Sequence, residues 1–256
     1  MLPTVWLQPG LLITYGQALD AEKHKHQAIQ VVWPNNKASC VINEQEITGA
    51  LIINSQVEHS LNMQTGWVIL VEPQSYLGKQ LNERLEALAF LPFDPPLISP
   101  DQLITTQFST NRADPNENPM QLLSPLFSKL GLAHDDVNLT ITLSDIRIQQ
   151  LVDDLDRCLE GDCLKPASWR AAEIASQLAL SEGRFLHLFR QEMNIAWRPY
   201  LLWRRLMCAI NAMIKGATAT EAAYQSGFSD SAHLSRTFRS LFGISIREAQ
   251  KLIKPR

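Results

Sequence analysis

The sequence predicts an α+β multidomain chain: a small β-barrel at the N-terminal end, a helical connector, and an all-α C-terminal domain of two helix-turn-helix units joined by a long helix. Three observations predict it. Short apolar runs with strand character crowd the first seventy residues, a two-helix pattern occurs twice in the last ninety, and the charge divides between the two ends. Residues 165–256 carry 14 Lys+Arg against 6 Asp+Glu, a net of +8, while residues 1–164 carry 9 against 20, a net of −11, within an overall charge of −3. A basic module beside an acidic one is the pattern expected when one end of a chain meets phosphate.

In chain order, Val5 to Pro73 holds the runs QAIQVVW, GALIIN and TGWVILVEP, separated by the polar turns PNNK and NEQE. Short strands at this spacing suggest a small barrel or sandwich. Ser75 to Leu88 reads as a helix, Pro92 to Pro100 as a rigid break, and Asp101 to Glu160 as helical connector with loops around Asn111 to Asn118. The last connector helix, Ile146 to Leu159, has an apolar stripe that would pack on the first C-terminal unit. These readings divide the chain into residues 1–90, 91–160 and 161–256.

Composition removes several classes. The chain has no run of eighteen apolar residues, and its first twenty residues lack a basic start followed by an apolar core. We therefore expect neither a membrane span nor a signal peptide, and a cytoplasmic protein. Cys40, Cys158, Cys163 and Cys208 form no CxxC pair, and their irregular spacing suits reduced thiols better than a disulfide or zinc framework.

The tail repeats itself. Glu173-x-Ala175-x-Gln177 recurs 48 residues later as Glu221-x-Ala223-x-Gln225. Past the turn the offset becomes 49: Phe185-x-x-x-Phe189-Arg190 answers to Leu234-x-x-x-Phe238-Arg239, Asn194-Ile195-Ala196 to Gly243-Ile244-Ser245, and Arg198 to Arg247. In each copy two short apolar stripes at helical spacing must cross over one small core. Ser181 and Asp230 are good N-caps for the second helix of each copy, and Thr218-x-x-Glu221 has the form of a capping box. Gly227 supplies a permissive backbone at the turn where the first copy has Ala179, and Asn194 and Gly243 are the residue types that close helices in the left-handed conformation. Between the copies, Pro199 to Lys215 reads as one helix of roughly 25 Å at ~1.5 Å per residue. With the widths of its neighbours, this spacer could set two recognition helices about one duplex turn apart, roughly 34 Å.

The stretch SGFSDSAHLSRTFRSLFGIS, residues 226–245, resembles the AraC/XylS family of bacterial transcription regulators, whose second unit carries a signature of the form GFxDxSxFxRxFxxxFGxS. Residues 173–203 resemble the first unit, so the likeness covers about ninety residues. The resemblance implies one recognition helix per unit and duplex DNA as partner. On the second recognition helix it puts Ser231, Ala232, His233, Ser235, Arg236 and Arg239 toward DNA, and on the first Glu182, Gly183, Leu186, His187 and Arg190. Arg236 is the expected base reader, because a guanidinium can pair in a bidentate way with guanine. Arg204 and Arg205 on the spacer, with Arg190 and Arg239, are expected phosphate contacts. Phe185, Phe189, Leu234 and Phe238 are core. The first helix departs from the usual polar readers with Gly183 and Leu186.

The strand region resembles, diffusely, the cupin barrel common at this end of the family. His24 and His26 in an HKH motif, followed by His59 and Asn62, are similar to the histidine placement of metal cupins, but the glutamate expected shortly after the HxH is missing, Gln27 and Gln30 being nearest. No metal or cofactor is assigned. Some of His24, His26, Trp33, His59 and Trp67 are instead expected to line an effector pocket. The leading function is a ligand- or partner-modulated transcription regulator and not an enzyme; RNA polymerase, a small-molecule effector and a second copy of the chain are the further partners such a protein would take. One rival is a metal-dependent cupin oxygenase fused to DNA-binding helices. A second makes the N-terminal domain purely a dimerisation module.

Overall fold

A computed structural model of the chain describes residues 4–107, 122–132, 139–161 and 169–252. The loops expected around Asn111 to Asn118, the boundary near Lys165 and Cys163 lie outside the described residues. The chain forms two compact units: the first comprises Met1–Trp6, Gly10–Leu139 and Arg239–Lys254, and the second Leu7–Pro9, Thr140–Phe238 and Pro255–Arg256.

Eight strands, all but the end of β1 in the first unit, form one sheet: β1 (Thr4–Gln8), β2 (Leu11–His24), β3 (Ile29–Pro34), β4 (Ala38–Ile42), β5 (Gln45–Thr48), β6 (Leu51–Ile53), β7 (His59–Val71) and β8 (Phe90–Pro92). The path runs β1-β2-β7-β3-β6-β8, with β4 pairing β5 and β7 off it. Where a small barrel was expected, the strands form an antiparallel sheet that is open, β1 and β8 ending the path without pairing each other. Strand β7 organises it. Along one edge it pairs β2 from Leu11↔Val71 to His24↔His59; along the other its first half pairs β4 and its second half β3. Burial follows this division. At the β4 end residues of β7 alternate between buried and exposed, whereas from Gly66 onward every residue is buried, as expected for a strand covered on both faces. The change falls at Gly66, where an added Cβ would lie 2.6 Å from the Trp33 carbonyl oxygen, so only glycine fits.

The NEQE turn is a two-residue hairpin between β4 and β5: Asn43 and Glu44 both have positive φ, and Ile42 pairs with Gln45. The predicted helix after Pro73 is α1 (Tyr76–Leu85), whose N-cap Ser75 hydroxyl accepts the Gly78 amide at 3.0 Å. Together with α2 (Pro100–Gln107) and α3 (Ser124–Lys129), α1 covers an apolar core built on Ile13, Tyr15, Val31, Trp33, Trp67 and Ile69, with Leu77, Leu81, Leu103 and Phe127 from the helices.

The second unit is helical: α4 (Ile146–Glu160), α5 (Ala171–Gln177), α6 (Glu182–Met193), α7 (Trp197–Ile214), α8 (Ala219–Gln225) and most of α9 (Ser231–Phe242); α10 (Ile246–Leu252) follows in the first unit. As expected, α4 packs on the first helix pair: Ile148, Leu151, Val152 and Leu155 share one core with Ile174, Ala175, Phe185, Leu188, Phe189, Met193 and Trp197. Leu178 and Leu180 pack against that core from the turn.

One expectation is corrected here. Cys40 and Cys158 are free thiols, but Cys208 on α7 is disulfide-bonded. Spacing alone hides why α7 meets distant chain. The end of α4 runs against α7, with Asn211 Nδ2 donating to the Leu159 carbonyl and Lys215 Nζ to that of Gly161, both at 2.7 Å. No helix among the described residues is long and apolar enough to cross a membrane.

Candidate nucleic-acid interface

Each recognition helix is started by a side chain. Ser181 Oγ accepts the Arg184 amide at 3.3 Å to open α6, and Asp230 Oδ1 accepts the His233 amide at 2.6 Å to open α9. These are the two N-caps read from the sequence. In α9, Leu234 and Phe238 are buried, while Ala232, Ser235, Arg236, Arg239 and Ser240 are exposed. Ser231 and His233 are half-buried. The His233 ring sits edge-on to Phe228 and its Nδ1 lies 3.1 Å from Ser229 Oγ, so it braces the start of the helix. Ser235 donates its hydroxyl back to the Ser231 carbonyl at 2.8 Å. Arg236 lies near Asp230, whose carboxyl is held below its ordinary value of 3.8 chiefly by the His233 amide.

Helix α6 shows Glu182, Gly183, Arg184, His187 and Arg190 to solvent, and the space a Cβ would take at Gly183 is open. Leu186 is half-buried and packs against the core of the unit, so less of it faces outward than its place on the helix implied. Arg184, in the first turn of α6 and exposed, was not among the residues singled out from the sequence, although its place one residue before the first core phenylalanine marks it as outward-facing.

The arginines expected on phosphates part company. Arg190 is exposed. Arg239 is exposed but in this structure gives Nη2 to Glu22 Oε1 at 2.5 Å, within the first unit. Arg205 is half-buried, which pushes its guanidinium below its ordinary value. Arg204 is the correction: it is 2% exposed and its Nη2 lies 2.6 Å from Asp156 Oδ1 on α4, with its guanidinium 6.0 Å from the Tyr200 ring centre. A buried arginine held by a carboxylate ties α7 to α4 and cannot also meet a phosphate.

The five residues from which an effector pocket was expected to draw fall into two groups. Trp33 and Trp67 are cross-strand partners in the apolar core beside Tyr15. His24, His26 and His59 come together at the other end of β7, with ring centres 4.3 to 5.6 Å apart. His59 and Trp67 are eight residues apart on one strand, roughly 26 Å of backbone, too far for one small pocket.

A family model described as a helix-turn-helix domain matches residues 174–251. The fold as a whole is similar to that of ToxT from Vibrio cholerae: an apo lysine-to-alanine variant aligns over 96% of this chain and 98% of that one at TM-score 0.56 and 16% identity. A ToxT structure bound to (E)-4-(8-methylnaphthalen-1-yl)but-3-enoic acid aligns over 99% and 98% at TM-score 0.52 and 15% identity. No relative is found among curated proteins. Helices α6 to α9, most of α5 and α10 thus fall within a region similar to a helix-turn-helix domain.

Proposed function

We propose that the chain is a sequence-specific DNA-binding transcription regulator whose grip on DNA is biased by a small molecule or partner at its N-terminal half. The observation that carries the reading is the duplication: two capped helices, each with one face buried and the other polar and exposed, separated by the eighteen-residue α7, about 27 Å long. In this reading residues 161–256 hold the DNA, 91–160 connect, and 1–90 sense or dimerise.

Arg236 is the principal base reader, with Ser231, Ala232 and Ser235 beside it. Glu182, Gly183, His187 and Arg190 form the opposing face on α6, with Arg184 added to them. Arg204 is left out because it is buried. ToxT with a bound small aromatic acid supports an effector role for the N-terminal unit here. RNA polymerase and a second copy of the chain are the other partners, and the cytoplasm is the compartment.

The test is a binding selection of the full-length protein on randomised duplex DNA. A consensus in two parts about one helical turn apart is expected. Affinity should fall linearly with salt on logarithmic axes, by a slope of about −0.9 per phosphate contacted. Salt-independent binding, or no enrichment at low salt, overturns the reading.

A further inference from the structure

We propose that His24, His26 and His59 form a three-imidazole site for a divalent transition metal of the zinc class. It stands apart from the DNA-reading assignment and uses none of its residues.

All three side chains are buried, with 6%, 2% and 1% of their surface exposed, and one ring nitrogen from each lies within 4.8 Å of the others. The sheet brings them there. The β2–β7 register sets His24 opposite His59, a bulge between Ala21 and His24 turns the end of β2, and His26 follows two residues on. Burial of a single histidine in a core is ordinary; three converging ones need a reason.

Hydrogen bonds supply it. Each ring has its Nδ1 at a main-chain carbonyl two residues away: His24 at Glu22 (2.7 Å), His26 at Ala28 (3.0 Å) and His59 at Val57 (3.0 Å). A carbonyl only accepts, so each Nδ1 carries the proton and each Nε2 carries the lone pair. The same bond from Nδ1 to a main-chain carbonyl fixes tautomer and ring orientation in histidines that bind metal. The Nε2 of His26 faces the Gln30 side-chain amide at 3.0 Å, which must turn its NH2 toward it. The Nε2 of His59 is fully buried and has no hydrogen-bond partner. A buried acceptor left without a donor is the feature a cation would satisfy.

The charge state agrees with this arrangement. Burial, the strongest influence on each ring, holds all three below the ordinary value of 6.5, His26 at about 4 and His59 at about 3. They are neutral at neutral pH, the form that coordinates. Imidazole donors without thiolates suit zinc, copper, nickel or iron rather than calcium or magnesium. Three protein ligands leave a fourth position for water. Donors around a tetrahedral ion with bonds of ~2.05 Å stand ~3.4 Å apart, so the cluster draws in by about an ångström to hold one.

The experiment uses tag-free full-length protein, stripped with chelator and titrated with Zn2+, followed by metal analysis and X-ray absorption of the wild-type chain. About one equivalent per chain is expected, with imidazole nitrogens at ~2.0 to 2.1 Å and a melting temperature that rises with free metal. His24→Ala and His59→Ala should each lose the metal and the thermal shift, while His187→Ala and His233→Ala keep both. No bound metal in the wild type, fewer than three imidazoles in its absorption spectrum, or retention by a His24→Ala/His59→Ala double variant overturns the proposal. The wild-type spectrum decides the matter even where a variant folds poorly.

Discussion

The two helix-turn-helix copies solve one folding problem with different residues. The first, α5 and α6, is rich in bulk: Phe185, Phe189, Trp197 and Tyr200 pack ring against ring at centre distances of 5.0 to 5.9 Å, and α4 adds an aliphatic layer. The second, α8 and α9, is built from smaller pieces, with Ala222, Ala223, Phe228, Leu234 and Phe238 buried. Local design runs the other way. The second copy opens with a complete capping box and turns at Gly227 (φ 79°), whereas the first opens at Arg170 without a side-chain cap bond and turns at Ala179 (φ 53°). Packing carries the first copy, and backbone chemistry carries the second. The same asymmetry reaches the proposed DNA face, where the first copy shows Gly183 and a half-buried Leu186, and the second an exposed Arg236.

The largest effect should come from the aromatic layer. Phe189→Ala opens a cavity between Trp197, Phe185 and Tyr200 and should cost about 3 to 5 kcal/mol; Phe238→Ala, in the smaller core, should sit at or below the bottom of that range. Denaturant unfolding of both variants measures the difference. Equal losses would mean that the second copy depends on bulk as much as the first. On DNA the order reverses. Arg236→Ala should weaken the best site by about 1 to 3 kcal/mol, roughly 5- to 150-fold, and relax the preference at one base pair. Leu186→Ala should cost less and blur a thymine preference. Selections with each variant decide it, and a uniform loss across sequences from Arg236→Ala would make that residue a phosphate contact.

What the sequence made visible was whatever repeats or is local. The duplication, the caps Ser181, Asp230 and Thr218, the left-handed closures at Asn194 and Gly243 and the α7 spacer all depend on residues within a turn or two of each other. Arg204 was misread because its partner, Asp156, lies on another helix. A signal was there: Tyr200, Met207 and Asn211 share its helical face, and the first two are buried. Sheet closure was equally out of reach, since it turns on whether β1 meets β8, some eighty residues on. Sequence spacing alone does not show that the histidines and tryptophans sit at opposite ends of the thirteen-residue β7.

Swapping the turn residues sharpens the contrast by smaller steps. A non-glycine residue in the left-handed region costs about 1 to 2 kcal/mol, and glycine gives back about 0.4 to 1 kcal/mol through the freedom of the unfolded chain. Ala179→Gly should therefore stabilise by a few tenths to about 1 kcal/mol, and Gly227→Ala should destabilise by a similar amount. Thermal unfolding of the pair should give shifts of opposite sign. Same-sign shifts would show that local contacts, not backbone strain, set the cost at these turns.

The smallest expected effects concern the helix starts. Thr218 Oγ1 accepts the Glu221 amide at 3.2 Å, and the Glu221 carboxylate takes the Thr218 amide at 2.8 Å, satisfying two main-chain donors that the helix cannot. Removing the hydroxyl in Thr218→Ala should cost about 1 kcal/mol. The same bonds hold the Glu221 carboxyl below its ordinary value of 4.5, the Thr218 amide contributing most. A lowered carboxylate stabilises the fold above its ordinary value and stops doing so as the pH falls through the lowered one, so Glu221→Gln should matter at neutral pH and lose its effect in strong acid. The first copy offers the complementary test. Arg170 has the extended φ of −69° and ψ of 136° that an N-cap requires, yet its side chain makes no cap bond. Arg170→Asp supplies an acceptor in place and should stabilise by about 0.5 to 1 kcal/mol. A loss of stability from Arg170→Asp would mean that the arginine side chain contributes more where it is than a cap would, and that the first copy is not short of backbone chemistry after all.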